Sequence, residues 1–138
     1  MRFRWFSSFV LVLGLAALAG KAFSNGGSAT DDGSIGISVS PQTMLLGSDQ
    51  GGSVVVHTNI AFRSVDASSL DLNGIKPRSV KADARGELVA YFNEGEVKGL
   101  FDAELAPCVE VMTLSGMMKD GTAFSGSDTV RVIVCPAQ

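Results

Sequence analysis

The sequence predicts an all-β fold, and three observations support this prediction. Apolar residues alternate with polar ones in short segments, as at Ile35, Ile37 and Val39, which is the periodicity of a half-buried strand. Turn signals containing Gly, Pro, Asn or Asp recur about every 8–12 residues between these segments, a spacing typical of an antiparallel sandwich or barrel. No internal repeat is visible in the chain, which excludes a solenoid or a propeller.

A secretory signal peptide is predicted at the amino terminus. Arg2 and Arg4 are followed by a run of 11 apolar or Gly residues from Phe9 to Ala19. At about 1.5 Å per residue, such a helix covers only half of a ~30 Å hydrocarbon core, so a cleaved export signal is favoured over a membrane span. We expect cleavage after Ser24; cleavage after Ala19 and an uncleaved anchor are the alternatives.

The chain then divides into three parts: a signal peptide (1–24), a flexible leader (25–33) and one sandwich domain (34–138). The leader has no apolar residue larger than Ala and cannot contribute to a core. Removal of the signal peptide takes away three cations and leaves 8 Lys and Arg against 14 Asp and Glu, a net charge of −6. An acidic domain repels phosphate backbones, so nucleic acid is not an expected partner.

Each predicted strand lies between turn residues. The strands are expected at residues 35–39, 43–46, 54–60, 70–72, 75–82, 88–92, 109–114 and 130–134. Asn73-Gly74 is the strongest dipeptide for a tight hairpin turn. The expected core consists of apolar alternates on these strands: Val54, Val56, Leu72, Leu88, Ala90, Phe92, Val130 and Val132.

Only the segment from Glu94 to Ala103 has a helical pattern. Val97, Leu100 and Phe101 are spaced as on one helix face. Two glycines inside the segment limit the helix to one or two turns, which we expect to pack on the edge of a sheet.

Four sequence segments resemble immunoglobulin-like and fibronectin-III-like accessory domains of bacterial secreted proteins. These segments are VSPQTMLL, SLDLNGI, RGELVAYF and MTLSGMMKDGTAFSGSDTVRVI, and together they extend from Val39 to near Val134. The resemblance implies an immunoglobulin-like antiparallel β-sandwich of about seven strands and a secreted or periplasmic location. It implies no activity and no catalytic residue. Such domains often carry a calcium-binding turn before the LVAYF-like strand, but here Arg85 stands where a ligand would be, so calcium is not expected.

No catalytic or metal-binding constellation is recognisable, and we expect no catalytic residue, no cofactor and no metal ligand. The one histidine, His57, lies within a predicted strand, where it lacks the partners of a nucleophilic or zinc site. The carboxylates that a small hydrolase could use are Asp66, Asp71, Asp83, Glu94 and Glu96. We interpret them as solvated surface groups, and a hard-cation site at Asp66, Asp71 and Asp83 lacks EF-hand spacing.

Aromatic residues for sugar stacking are few. The only Trp, Trp5, lies in the signal peptide. A sugar-binding domain should therefore expose Tyr91 or Phe62 on a flat face. The other interpretation of Phe62 is that it attaches its loop to the core.

A disulfide between Cys108 and Cys135 is predicted from strand register, with two free thiols as the alternative. Export places both thiols where disulfides persist. The apolar alternation of the last two strands is continuous only with a β-bulge at Val111 and Met112, and this bulge brings Cys108 opposite Cys135. The expected pairs are Leu114 with Val130, Met112 with Val132 and Val109 with Val134.

The sequence is compatible with three functions. The leading one is a small exported, non-enzymatic binding or structural module for an unknown protein or cell-envelope partner, with no membrane span in the mature chain. The second is a polysaccharide-binding accessory domain. The third is a small hydrolase with a loop-carboxylate site.

Overall fold

The computed structural model describes residues 33–134. The predicted signal peptide, its cleavage site at Ser24, most of the leader and Cys135 lie outside the described residues. The described part is mostly strand and forms two four-stranded sheets, as expected for an all-β chain.

Eight strands follow one another along the chain. They are β1 (Ile37–Ser40), β2 (Thr43–Leu46), β3 (Ser53–Ala61), β4 (Val65–Leu72), β5 (Ser79–Ala82), β6 (Glu87–Asn93), β7 (Cys108–Met118) and β8 (Ala123–Val134). One short helix, α1 (Glu94–Lys98), follows β6, and 3₁₀ turns cover Phe62–Ser64 and Ala103–Leu105. The helix occupies the start of the segment with the helical pattern, and its Val97 is fully buried.

The two sheets differ in strand direction. The first sheet has the order β1-β3-β6-β5 and is antiparallel throughout. The second has the order β2-β8-β7-β4, in which β2 runs parallel to β8. The consecutive strands β1 and β2 lie in different sheets and are separated by Pro41, which has no N–H to continue a ladder.

The tight turn at Asn73-Gly74 is confirmed, but it does not join β4 and β5 into a hairpin. Asn73 and Gly74 both have positive φ, 48° and 92°, and Leu72 and Ile75 exchange backbone hydrogen bonds across them. Strands β4 and β5 nevertheless belong to different sheets. The chain crosses between the sheets through Pro77, so the expected strand over 75–82 begins only at Ser79.

The predicted core is confirmed residue by residue. All eight residues are at most 1% exposed: Val54, Val56, Leu72, Leu88, Ala90, Phe92, Val130 and Val132. Each belongs to one continuous apolar cluster between the sheets.

The predicted register of β7 and β8 is wrong. Leu114 lies opposite Gly126 and Met112 opposite Asp128, with no bulge between these pairs. The tight loop decides the pairing, because Met118 and Thr122 are joined by a backbone hydrogen bond of 2.7 Å around Gly121. Turn geometry therefore overrides the apolar alternation, and it leaves Val109 and Val111 facing solvent.

This register also places Cys108 opposite Val132 rather than Cys135. Within residues 33–134 Cys108 has no disulfide partner, and its thiol donates a hydrogen bond to Glu110; burial is the main cause that raises the pKa of this thiol. Because Cys135 lies outside the described residues, the disulfide stays a prediction, but it no longer follows from strand register.

Candidate functional site

Large apolar side chains are exposed near the start of β7. Across residues 33–134 the exposed large apolar side chains are Leu100, Leu105, Val109, Val111, Met117 and Val134, of which Met117 lies near the other end of β7. Leu100 and Leu105 belong to the connection that leads into β7, and Val134 ends the neighbouring strand. Val109 and Val111 are 67% and 55% exposed although they lie within a strand. Exposed apolar residues in one region are typical of an interaction surface.

Val109 and Val111 lie on the first part of β7, where β4 does not pair with it. Strand β4 ends with Leu72 opposite Leu114, whereas β7 begins six residues earlier, at Cys108. Asn73 extends the pairing by one step, because its side chain accepts a hydrogen bond from the Thr113 N–H (2.7 Å) and donates one to the Val111 carbonyl (3.1 Å). Successive residues of a strand direct their N–H and carbonyl groups to opposite sides. The N–H of Val111 and the N–H and carbonyl of Val109 therefore point to the same side as those of Thr113, where β4 would lie if it were longer.

Within residues 33–134, no strand or side chain is hydrogen-bonded to those groups of Val109 and Val111. We call Cys108–Val111 the open β7 edge.

Other strand edges of the domain are closed by side chains. On β2, the Gln50 carboxamide accepts a hydrogen bond from the Leu45 N–H (2.8 Å) and donates one to the Thr43 carbonyl (3.0 Å), as a neighbouring peptide group would. On β1, Val39 donates its N–H to Asp128 (2.9 Å) and accepts from Gln42 (2.6 Å). The hydrogen bond from the Val39 N–H, followed by one from the Gln42 carboxamide to the carboxylate (2.7 Å), lowers the pKa of Asp128.

The remaining two edges are closed in other ways. Strand β4 is interrupted by a register shift between Asp66 and Asp71. Strand β5 has only four residues, follows Pro77 and carries the exposed Lys81. Short strands, bulges, proline and lysine are the usual protections of a sheet edge. The open β7 edge follows Pro107, but it has no bulge and no lysine, and it carries two exposed valines instead.

The carboxylates considered for a hydrolase are distributed over separate elements. Asp66 accepts hydrogen bonds from the Ser68 N–H and hydroxyl, and Asp71 accepts one from the Gly74 N–H. Asp83 accepts from the backbone of Arg85 and Glu87, and mainly the Glu87 hydrogen bond lowers its pKa. Each of these Asp side chains thus stabilises its own turn.

The structure does not place these groups together as a metal site. No cluster of three or more metal-ligating side chains occurs between residues 33 and 134. Asp66 lines one shallow depression of about 350 Å³ and Glu94 lines a different one of about 360 Å³.

Glu94 is buried and holds a loop in place, whereas Glu96 is exposed. The Glu94 carboxylate accepts hydrogen bonds from the N–H groups of Gln50 (2.8 Å) and Gly52 (2.6 Å) and from Lys98 (2.5 Å). These contacts, the Lys98 hydrogen bond first, lower the Glu94 pKa to about 2 against the opposing effect of burial. Sequence reasoning missed this role; the i,i+4 spacing of Glu94 and Lys98 was the available signal.

The outer face of the first sheet carries Tyr91, half-buried and near the middle of the sheet. Lys81 Nζ lies 5.1 Å from the centroid of its ring, within the range of a cation–π contact. The neighbouring outward residue, Val89, is only 1% exposed and has His57 and Lys81 as its cross-strand neighbours. Arg78 donates a hydrogen bond to the Ser53 hydroxyl. We call Ser53, His57, Arg78, Lys81 and Tyr91 the Tyr91 face.

Phe62 and His57 are the other two side chains singled out in the sequence. Phe62 packs against the core cluster, which confirms that it attaches its loop to the core. His57 is exposed on the Tyr91 face.

No protein-family model, curated protein or solved structure matches the chain. In the described range, no helix is long and apolar enough to cross a membrane.

Proposed function

We propose that this protein is an exported, non-enzymatic binding module that holds a protein partner of the cell envelope at the open β7 edge. The observation that carries this proposal is the contrast between the edges. Four edges are protected, while β7 presents unpaired backbone groups between two exposed valines. An extended partner segment would add a strand there, with main-chain hydrogen bonds giving affinity and contacts to Val109 and Val111 giving specificity.

The finer fold assignment, an immunoglobulin-like sandwich, is part of this proposal. It is supported by strand order. Strands β1, β3, β6 and β5 would correspond to the A-B-E-D sheet of such a domain, and β8, β7 and β4 to the G-F-C sheet. Strand β2 would be the second half of a first strand divided between the sheets, which accounts for eight strands instead of about seven.

Export is proposed from the amino-terminal sequence. The cationic start and the short apolar run support a signal peptide and an extracytoplasmic location, secreted or periplasmic. Mass spectrometry of the protein recovered from its host should show a chain that begins at Asn25. Recovery of the full-length chain in the membrane fraction would contradict export.

Site-specific photo-crosslinking tests the binding site. A photoreactive residue at Val109 in the full-length chain, expressed in its host, should give one discrete crosslinked protein. Val111→Lys should abolish this crosslink, because a lysine on a strand edge opposes strand addition. Thr129→Lys is the matched control, since Thr129 is exposed on the same face directly opposite Val111 but lies on β8.

The control variant distinguishes a partner bound along the β7 edge from a partner bound to the face of the sheet. If Thr129→Lys abolishes the crosslink as fully as Val111→Lys, the partner contacts the sheet face and strand addition is wrong. A crosslinking pattern at Val109 that neither substitution changes would refute a specific site at the edge.

Polysaccharide binding is a second candidate function, favoured by Tyr91. Its ring lies on the outer face of a sheet, where an aromatic platform for a sugar would be expected. The hydrolase alternative has no comparable support, because the carboxylates of Asp66, Asp71 and Asp83 stabilise their own turns.

A further inference from the structure

We infer that the Tyr91 face binds an acidic polysaccharide, one whose sugar units carry carboxylates. This inference rests on the second candidate function, polysaccharide binding, and is independent of the open β7 edge. Three observations support it: the residues that neighbour the Tyr91 ring, the charged side chains beside the ring and the polar groups around it.

The Tyr91 ring is half-buried, with short side chains on the neighbouring strands and the Lys81 ammonium over the ring. On the outer face, the direct cross-strand neighbours of Tyr91 are Val55 on β3 and Ser79 on β5. Beyond Val55, the next residue across the sheet is Ser40. None of these three side chains is long enough to cover a phenol ring, so an extended sugar chain that lies across the strands can contact the ring beside the Lys81 ammonium.

The charges beside the ring are cationic although the mature chain is acidic. Arg78 and Lys81 are both exposed and both lie on this face, one bonded to Ser53 and the other beside the Tyr91 ring. The nearest carboxylates of the first sheet are at the β5–β6 turn, where Asp83 accepts backbone hydrogen bonds and Glu87 lies 3.8 Å from Arg85. Two cations near an aromatic ring complement an anionic ligand.

The polar groups around the ring favour a carbohydrate over other anions. Ser79 provides an exposed hydroxyl, the Ser53 hydroxyl accepts from Arg78 and can still donate, and Asn93, whose Oδ1 accepts from the Glu96 N–H, provides its amide N–H groups. A sugar chain offers matching hydroxyl groups, an apolar ring face for Tyr91 and, when acidic, carboxylates for Arg78 and Lys81. A nucleic acid would require more cations than these two to offset a net charge of −6.

Affinity electrophoresis of the full mature chain tests the inference, with polygalacturonate as the acidic probe and unsubstituted galactan as the neutral one. Polygalacturonate should retard the protein, and galactan should retard it much less. Lys81→Gln and Arg78→Gln should each weaken retardation by about tenfold, the usual effect of losing a charge-assisted hydrogen bond. Tyr91→Ala should weaken it as well.

Lys119→Gln is the matched control, because it removes an exposed cation in the β7–β8 loop, away from the Tyr91 face. It should leave retardation unchanged. If it weakens binding as much as Lys81→Gln, the attraction is a non-specific charge effect and the inference fails. Should Tyr91→Ala not fold, as judged by its melting transition, the Lys81→Gln and Arg78→Gln variants still decide the outcome.

The two probes distinguish this inference from the function on which it rests. Equal retardation by both polymers would preserve polysaccharide binding but overturn the acidic ligand. Retardation by neither polymer would refute both.

Discussion

Gly126 is the position where one added methyl group should disturb this fold most clearly. It lies buried on β8 beneath the segment that leads into β1. A Cβ at this position would be 2.6 Å from the Ile35 carbonyl oxygen and 2.9 Å from side-chain carbons of Ile35 and Ile37. The closest atom belongs to the backbone, and a 2.9 Å hydrogen bond from the Ile35 N–H to the Ser125 carbonyl holds that backbone in place. Gly126→Ala therefore has to displace the segment.

The expected cost has three contributions. Forcing an extra methyl group into a packed site costs about 1–3 kcal/mol. Losing the Ile35–Ser125 hydrogen bond costs about 0.5–1.5 kcal/mol. Replacing Gly by Ala restricts the unfolded chain and offsets about 0.4–1 kcal/mol of this loss. The free energy of unfolding should therefore fall by about 2 kcal/mol, which lowers the Tm of a domain of this size by roughly 8–16 °C.

Urea and thermal denaturation measure this loss, and Gly116→Ala provides the comparison. A Cβ at Gly116 would be close only to side-chain atoms, 2.8 Å from Phe124, 3.0 Å from Leu70 and 3.2 Å from Ser69, and side chains can move without breaking a backbone hydrogen bond. Gly116→Ala should therefore cost less than Gly126→Ala. Amide exchange of Ile35 should accelerate in the Gly126→Ala variant alone. A Gly126→Ala protein as stable as wild type, with unchanged Ile35 exchange, would refute the reasoning.

Three further predictions concern the core, the acid response and the cysteines. Leu88→Ala should lower the free energy of unfolding by about 2–5 kcal/mol in urea denaturation, because Leu88 is fully buried; an unchanged transition would contradict this placement. The Glu94 pKa of about 2 lies below its ordinary value of 4.5, so its stabilising effect is present above about pH 4.5 and is lost as the pH falls towards 2. The stability difference between wild type and Glu94→Gln should therefore shrink over that range, and a difference independent of pH would exclude this role. The Cys108–Cys135 bond, which now follows from export alone, predicts no reactive thiol in the denatured, unreduced protein; two thiols per chain would refute it.

The strands and their buried faces could be predicted from the sequence because they depend on local alternation. In a strand, successive side chains point to opposite faces, so the inward positions of Leu88, Ala90 and Phe92 follow from their spacing alone. The turn at Asn73-Gly74 was also predictable, because these two residues tolerate positive φ better than others. The path of the chain after that turn was not predictable, since nothing local indicates that β5 joins the other sheet.

Register and edge protection were decided only by the tertiary structure. The loop around Gly121 determines which residues of β7 and β8 face each other, and so leaves Val109 and Val111 exposed where hydrophobic patterning placed them inside. Asp128 protects β1 from 89 residues away in the chain, a contact that no local pattern records. The candidate binding edge exists because β4 ends opposite Leu114, six residues after the start of β7. How far two paired strands overlap is set by the assembly of the whole sheet.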